Sequence, residues 1–244
     1  MIDFHCHLDL YEDPLVVLTQ AVEYRCYMLA VTTTPLAWAG TRRLVGGAPR
    51  VQVGLGLHPE LVASRHREVE LLCSMVPDAK YVGEIGLDGS RPHRGSLALQ
   101  KEVFASVLQA CVDTGGRIMT IHSRGAATEV LDALEAHPGA GIPVLHWFSG
   151  TQSELARADM LGCWFSVGPT MLRSKKGRQL AAAMPRDRVL TETDGPFTRR
   201  GRSPLMPWDV LEAERLLGEI WGTSQAGARR HLLSNLRRLV DAGD

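Results

Sequence analysis

A short apolar run followed by a helical stretch recurs about every thirty residues along the chain, and this alternation narrows the fold more than any other feature. The runs fall at 2–4, 27–33, 50–56, 81–86, 117–121, 143–147, 164–167 and 188–191, each closed by Gly, Pro, Ser or a polar cluster. Between them the pattern is helical. Asp13 caps Pro14 at the first helix, Leu99, Val103, Val107 and Ala110 make one apolar face of another, and 129–136 and 153–160 follow later strands. Strands that are apolar throughout and joined by helices read as parallel strands buried on both faces. Eight such units in 244 residues predict an α/β fold, a (β/α)8 TIM barrel forming a single domain over 1–244. A doubly wound open sheet shares the alternation, but the GxGxxG phosphate loop that often accompanies it is missing after the first strand. The tail from Pro207 to Val240 is expected as C-terminal helices packed on the outer ring through Trp208, Leu211, Leu216, Ile220 and Trp221.

Composition bounds the class of protein. With 45% hydrophobic residues the chain supports one large core. Its 27 basic residues match 27 acidic ones, so a polyanionic partner would have to be held by local clustering rather than by a global field. The start, Met-Ile-Asp-Phe-His-Cys-His, has no basic segment and no apolar signal, and no run approaches the ~20 apolar residues of a membrane span. Five cysteines without CxxC spacing argue against a disulfide framework or a zinc ribbon. A cytoplasmic protein without membrane contact is expected.

Chemistry in a barrel of this kind sits at the C-terminal ends of the strands. Six residues of metal-ligating type fall there: His5 and His7 after the first strand, Glu84 late in the fourth, His122 and His146 ending the fifth and sixth, and Asp194 after the eighth. Two residues apart on extended chain, His5 and His7 project the same way, while Cys6 between them faces the opposite side and packs. Imidazoles and carboxylates without thiolate suit Zn, Mn, Co or Mg. Six donors exceed what one open catalytic ion takes, so two divalent metal ions (Mg, Mn or Zn) with Glu84 between them are expected, and with them hydrolysis by an activated water. Asp194, in Thr-Glu-Thr-Asp-Gly-Pro, is the carboxylate to manage that water's proton. Glu192, two residues earlier, braces a ligand or fills the barrel interior.

These residues lie in Ile-Asp-Phe-His-Cys-His-Leu-Asp (2–9), Gly-Leu-His-Pro-Glu (56–60), Gly-Glu-Ile-Gly-Leu-Asp (83–88), Ile-His-Ser-Arg (121–124), His-Trp-Phe-Ser-Gly (146–150), Glu-Thr-Asp-Gly-Pro (192–196) and Asn-Leu-Arg-Arg-Leu (235–239). Taken in order, the seven segments resemble the TatD family of metal-dependent deoxyribonucleases, within the amidohydrolase-like barrels. The resemblance implies that His5, His7, Glu84 and Asp194 hold one ion and Glu84, His122 and His146 the other. It puts His58 in a pocket near the phosphate, Arg124 beside the ligand His122, and Arg91 where some members carry an Arg. Gly89-Ser90 stand where the family commonly has two aromatics, so a base-stacking surface is lost or moved. Gly195 replaces the usual Ala or Ser, and the loop 199–204 departs from the family's Arg-Asn-x-Pro element. A narrower similarity to the TatD-like nuclease of Qat antiphage defence systems rests on the compact length, Trp147 and Gly195. It implies antiviral defence and operon-encoded partner proteins.

From Arg173 to Arg202 nine basic residues face three acidic ones, and Arg199 and Arg202 are expected to track a nucleic-acid backbone beside the site. The leading expectation is a phosphodiesterase acting on DNA, single-stranded or at strand ends, with catalytic Asp194 and Glu84. A small-molecule amidohydrolase or phosphotriesterase and a non-catalytic scaffold subunit are the alternatives.

Overall fold

The computed structural model describes residues 1–243. Eight parallel strands pair in sequence order: β1 (Ile2–Cys6), β2 (Tyr27–Val31), β3 (Val51–Leu55), β4 (Tyr81–Gly86), β5 (Arg117–His122), β6 (Gly141–His146), β7 (Trp164–Val167) and β8 (Val189–Thr191). Strands β1, β4, β7 and β8 are buried along their whole length, as strands covered on both faces must be. This is the expected (β/α)8 barrel. Strand β6 stops at His146 rather than Trp147 because Trp147 turns the backbone to φ 39°, outside the extended region.

The seam between β8 and β1 is closed by a different chemistry from the ladder bonds that join the other neighbours. Thr191 Oγ1 donates to the Ile2 carbonyl at 2.5 Å, and Asp3 accepts from the Thr193 amide at 2.8 Å and from its hydroxyl at 2.6 Å. Just above, the Asp194 amide donates to the His5 carbonyl at 2.8 Å and the His7 amide to that of Gly195 at 2.7 Å. Asp3 is fully buried. Each of its bonds satisfies a group that water cannot reach.

The helices form the outer layer. Helix Pro14–Glu23 starts as expected, with Asp13 Oδ1 accepting from the Val16 amide at 3.0 Å and Pro14 in the first turn. Helix Leu97–Asp113 buries Val103, Phe104, Val107, Leu108 and Cys111, while Leu99 and Ala110 pack at the edge of that face. The tail divides at Gly222 into helices Val210–Trp221 and Gln225–Ala242. Leu216 and Trp221 are buried, and Trp208, Leu211 and Ile220 half-buried. The second tail helix is latched to the barrel by Asn235, whose buried amide donates to the carbonyls of Arg186 and Val189 at 2.8 Å each. A small hairpin, β9 (Arg199–Arg200) and β10 (Ser203–Pro204), interrupts the segment between β8 and the tail. No helix among the described residues is long and apolar enough to cross a membrane, and none of the five cysteines is paired.

Candidate metal centre

Strand register brings the chemistry to one height of the barrel. His122 is level with Gly86 of β4, and His146 with Ser166 of β7. The seam bonds hold His5, His7 and Asp194 against one another from the two ends of the sheet. Asp194 has φ 56°, a left-handed conformation that Asp tolerates better than most residues, and it turns the chain back toward the barrel axis. Cys6 faces away, packing with Ala21, Cys26 and Met28.

All six expected donors converge, with Glu84 in the middle. Its Oε2 lies 3.3 Å from His5 Nε2 and 3.2 Å from His7 Nε2, while its Oε1 lies 2.8 Å from His122 Nδ1 and 3.5 Å from His146 Nε2. Asp194 Oδ1 is 3.6 Å from His7 Nε2 and 4.0 Å from His5 Nε2. His58 joins them, its Nε2 3.2 Å from Glu84 Oε2. It is therefore part of the cluster rather than beside it.

Four of these imidazoles touch a further polar side chain or backbone group, and these contacts decide which nitrogen faces the centre. His5 Nδ1 lies 2.7 Å from Thr120 Oγ1, and His146 Nδ1 lies 3.3 Å from Glu192 Oε2, so each presents Nε2. His122 is reversed. Its Nε2 lies 2.8 Å from Asp88 Oδ2 and its Nδ1 faces Glu84. Glu192 is in turn fixed by the Trp147 amide at 3.0 Å and by the Ser166 hydroxyl. Asp88 accepts from the Ser90 amide at 2.8 Å, and buried Gln100 clamps its backbone on both sides. His58 Nδ1 accepts from the Glu60 amide at 3.1 Å, which leaves the ring hydrogen on Nε2, aimed inward. Sequence reasoning anticipated the bracing position of Glu192 but assigned nothing to Asp88 or Thr120. The signal for Asp88 was its spacing of four from Glu84 in a segment already singled out.

The electrostatics are those of a closed set of like donors. Burial opposes charge on Glu84, but the adjacent His58 and His5 and the hydrogen bond from His122 hold it well below the usual carboxylate range. Burial drives His5 down, and His146 beside it adds to the effect. Against the same burial, Asp88 and Glu84 raise His122 to about 9, and Glu192 raises His146 to about 10. Burial lifts Asp194 well above its ordinary value. His7 is fully buried, its Nδ1 makes no hydrogen bond, and its Nε2 faces only the carboxylate oxygens of Glu84 and Asp194. A buried imidazole nitrogen left without a partner costs free energy unless something binds it. Among the described residues the donor groups His5–His7–Glu84 and His5–His146–Glu192 each lie within 4.8 Å, which fits divalent cations, and His58 packs as closely on Glu84 and His122 but turns its ring hydrogen inward.

The cluster floors a cleft of about 730 Å³ whose walls include Leu10, Thr33, Ser123, Arg124, Trp147 and Phe197. Arg124 thus stands in the cleft wall. Arg91, Arg199 and Arg202, expected as substrate contacts, do not line it: Arg91 is exposed elsewhere, and the other two lie on the β9–β10 hairpin, where Arg199 bonds the Arg202 carbonyl. Four of the nine basic residues between 173 and 202 are also paired with acids outside that run. Arg173 pairs with Glu212 at 2.6 Å, Arg178 with Glu219 at 3.4 Å, Arg188 with Asp159, and Arg200 with Glu212 at 2.8 Å and Asp209 at 3.2 Å. Counting charge within a window missed partners supplied by the neighbouring helices.

The TatD related DNase family profile matches residues 2–241. The chain belongs to that family. It is 30% identical over 230 residues to YcfH of Escherichia coli K12, described as an uncharacterized metal-dependent hydrolase, covering 87% of this chain and 86% of that one. It is 28% identical over 149 residues to the human deoxyribonuclease TATDN3, covering 59% of this chain and 53% of that one. The chain spans about half the length of the human relative and of a microsporidian homologue from Encephalitozoon cuniculi. The crystal structure of YjjV, a TatD homologue from E. coli K12, superposes with a TM-score of 0.85 at 25% identity, covering 98% of this chain and 97% of that one.

Proposed function

We propose that this TatD-family chain is a hydrolase of DNA phosphodiester bonds, acting at single-stranded or frayed ends with two divalent ions. One observation carries the reading: the two oxygens of Glu84 face different donor sets, His5 and His7 with Asp194 behind Oε2, and His122 with His146 behind Oε1. These two sets of residues would hold two divalent ions, with Glu84 serving both. Bound there, such ions supply Lewis-acid polarisation of the phosphate and lower the pKa of water toward neutrality.

The protein's own groups do the rest. Asp194, at the cleft wall, orients the attacking water and takes its proton on Oδ2, leaving Oδ1 with the His5–His7 donor set. His58, held with its hydrogen on Nε2, donates to a phosphoryl oxygen rather than ligating. Arg124 offers a guanidinium fork to the next phosphate. A carboxylated lysine, common among amidohydrolase relatives, is not available: Lys80 lies on a separate cleft at the opposite end of the barrel.

The test is elemental analysis of the purified protein paired with digestion of end-labelled single-stranded DNA, repeated on Asp194→Asn. About two equivalents of metal, and cleavage that the variant loses while staying folded, is the expected result. A metal-loaded wild type that cleaves esters or amides but not DNA overturns the reading. The proposal extends to a cytoplasmic role in antiphage defence with operon-encoded partners, on the segment resemblance. Loss of plaque protection on Asp194→Asn within the operon is its check.

A further inference from the structure

Phe197 is 58% exposed at the mouth of the metal cleft, an anomalous place for a large apolar ring. Its centroid lies 4.8 Å from that of His7, edge against face. Leu10, 43% exposed, and the half-buried Trp147 share the same rim. The ring is held out rigidly. Phe197 belongs to the turn that also carries Asp194, closed by the Thr198 amide on the Asp194 carbonyl at 3.1 Å and the Thr198 hydroxyl on the Thr193 carbonyl at 2.5 Å.

Across the cleft, the segment after β4 leaves no space for an aromatic at position 89. A Cβ on Gly89 would stand 2.2 Å from the Gly125 carbonyl oxygen, because the two loops touch backbone to backbone. Position 89 therefore adds no ring to the rim.

Resting on the nuclease reading above, we propose that Phe197 is a stacking platform for the nucleobase next to the scissile phosphate, and so a specificity-determining residue for unpaired strand ends. The ring abuts His7, which faces the centre, so a base lying on it has its own phosphate within one nucleotide's reach of Glu84 and Asp194. A paired base has both faces covered by its neighbours in the duplex and presents none to Phe197. Stacking on one aromatic is sequence-tolerant, because every base has a π-face.

The experiment compares wild type, Phe197→Ala and Phe197→Tyr on single-stranded oligonucleotides ending in a normal or an abasic nucleotide. Since the side chain is exposed, its truncation leaves the core intact. Phe197→Ala is expected to raise KM about tenfold on the base-bearing end and less than about twofold on the abasic end, and Phe197→Tyr to restore it. Equal changes on both ends overturn the platform. Binding of an oligonucleotide ending in 2-aminopurine, read by fluorescence quenching with the metal-loaded protein, separates this idea from the reading it rests on. Quenching that Phe197→Ala abolishes, without any cleavage, keeps the platform and removes the nuclease. Unchanged quenching in Phe197→Ala removes the platform alone.

Discussion

Asp3 at the β8–β1 seam and Glu84 at the centre are both buried carboxylates, and their surroundings treat them in opposite ways. Asp3 meets only neutral donors, the amide and hydroxyl of Thr193, and burial pushes it up to about 8 in spite of them. Glu84 is as deeply buried, yet the imidazoles around it keep it charged. Around Asp3 the neutral donors do not offset burial, whereas the imidazoles around Glu84 outweigh it. The seam is therefore built for structure and the centre for cations.

The sharpest break between the two regions is expected from Asp194→Asn, which should lower kcat on DNA ends about 10²–10⁴-fold, with a thermal midpoint close to wild type. A comparable loss of stability would show that Asp194 serves the seam instead. Next in size, Asp88→Asn removes the charge that orients His122 and, with its oxygen kept by the Ser90 amide, turns an NH2 donor toward the ring. Metal affinity should fall about 10–100-fold in a chelator-competition titration, while Asp3→Asn leaves it near wild type.

Gly195 links the two regions, because its carbonyl receives the His7 amide. A Cβ there would stand 2.0 Å from Tyr11 Oη and 2.3 Å from the Leu205 carbonyl oxygen. Gly195→Ala should cost about 1–3 kcal/mol in urea unfolding, only partly relieved by Tyr11→Phe because the Leu205 backbone stays. The last effect concerns pH. The folded chain keeps a proton on Asp3 that the unfolded chain releases near pH 4, so this contribution is complete below about 4 and is lost as pH rises to about 8, at no more than about 1.4 kcal/mol per unit. Urea midpoints between about pH 4 and 6 with chelator present, below where histidines titrate in the unfolded chain, should fall in wild type relative to Asp3→Asn.

Local spacing made the barrel and its donors legible. Apolar runs such as 81–86 and 164–167 are continuous because both faces of each strand are covered, and the donors stand out because they sit where those runs end. Partners drawn from distant elements left no local trace. Nothing in the sequence around Asp88 points to His122 until β5 sets the two together. Arg173 and Arg178 read as part of a basic stripe until Glu212 and Glu219 of a later helix answer them. No pattern marks Phe197 as exposed, and only the turn after Asp194 shows it facing solvent.

The Asn235 latch carries a consequence for the timing of biogenesis. The last helix clasps the strand that delivers Asp194, while His5 and His7 are translated well before either. A nascent polypeptide therefore holds two loose imidazoles and no finished donor set until residue 235 has emerged. A centre assembled this way closes only after every one of its donors has been made.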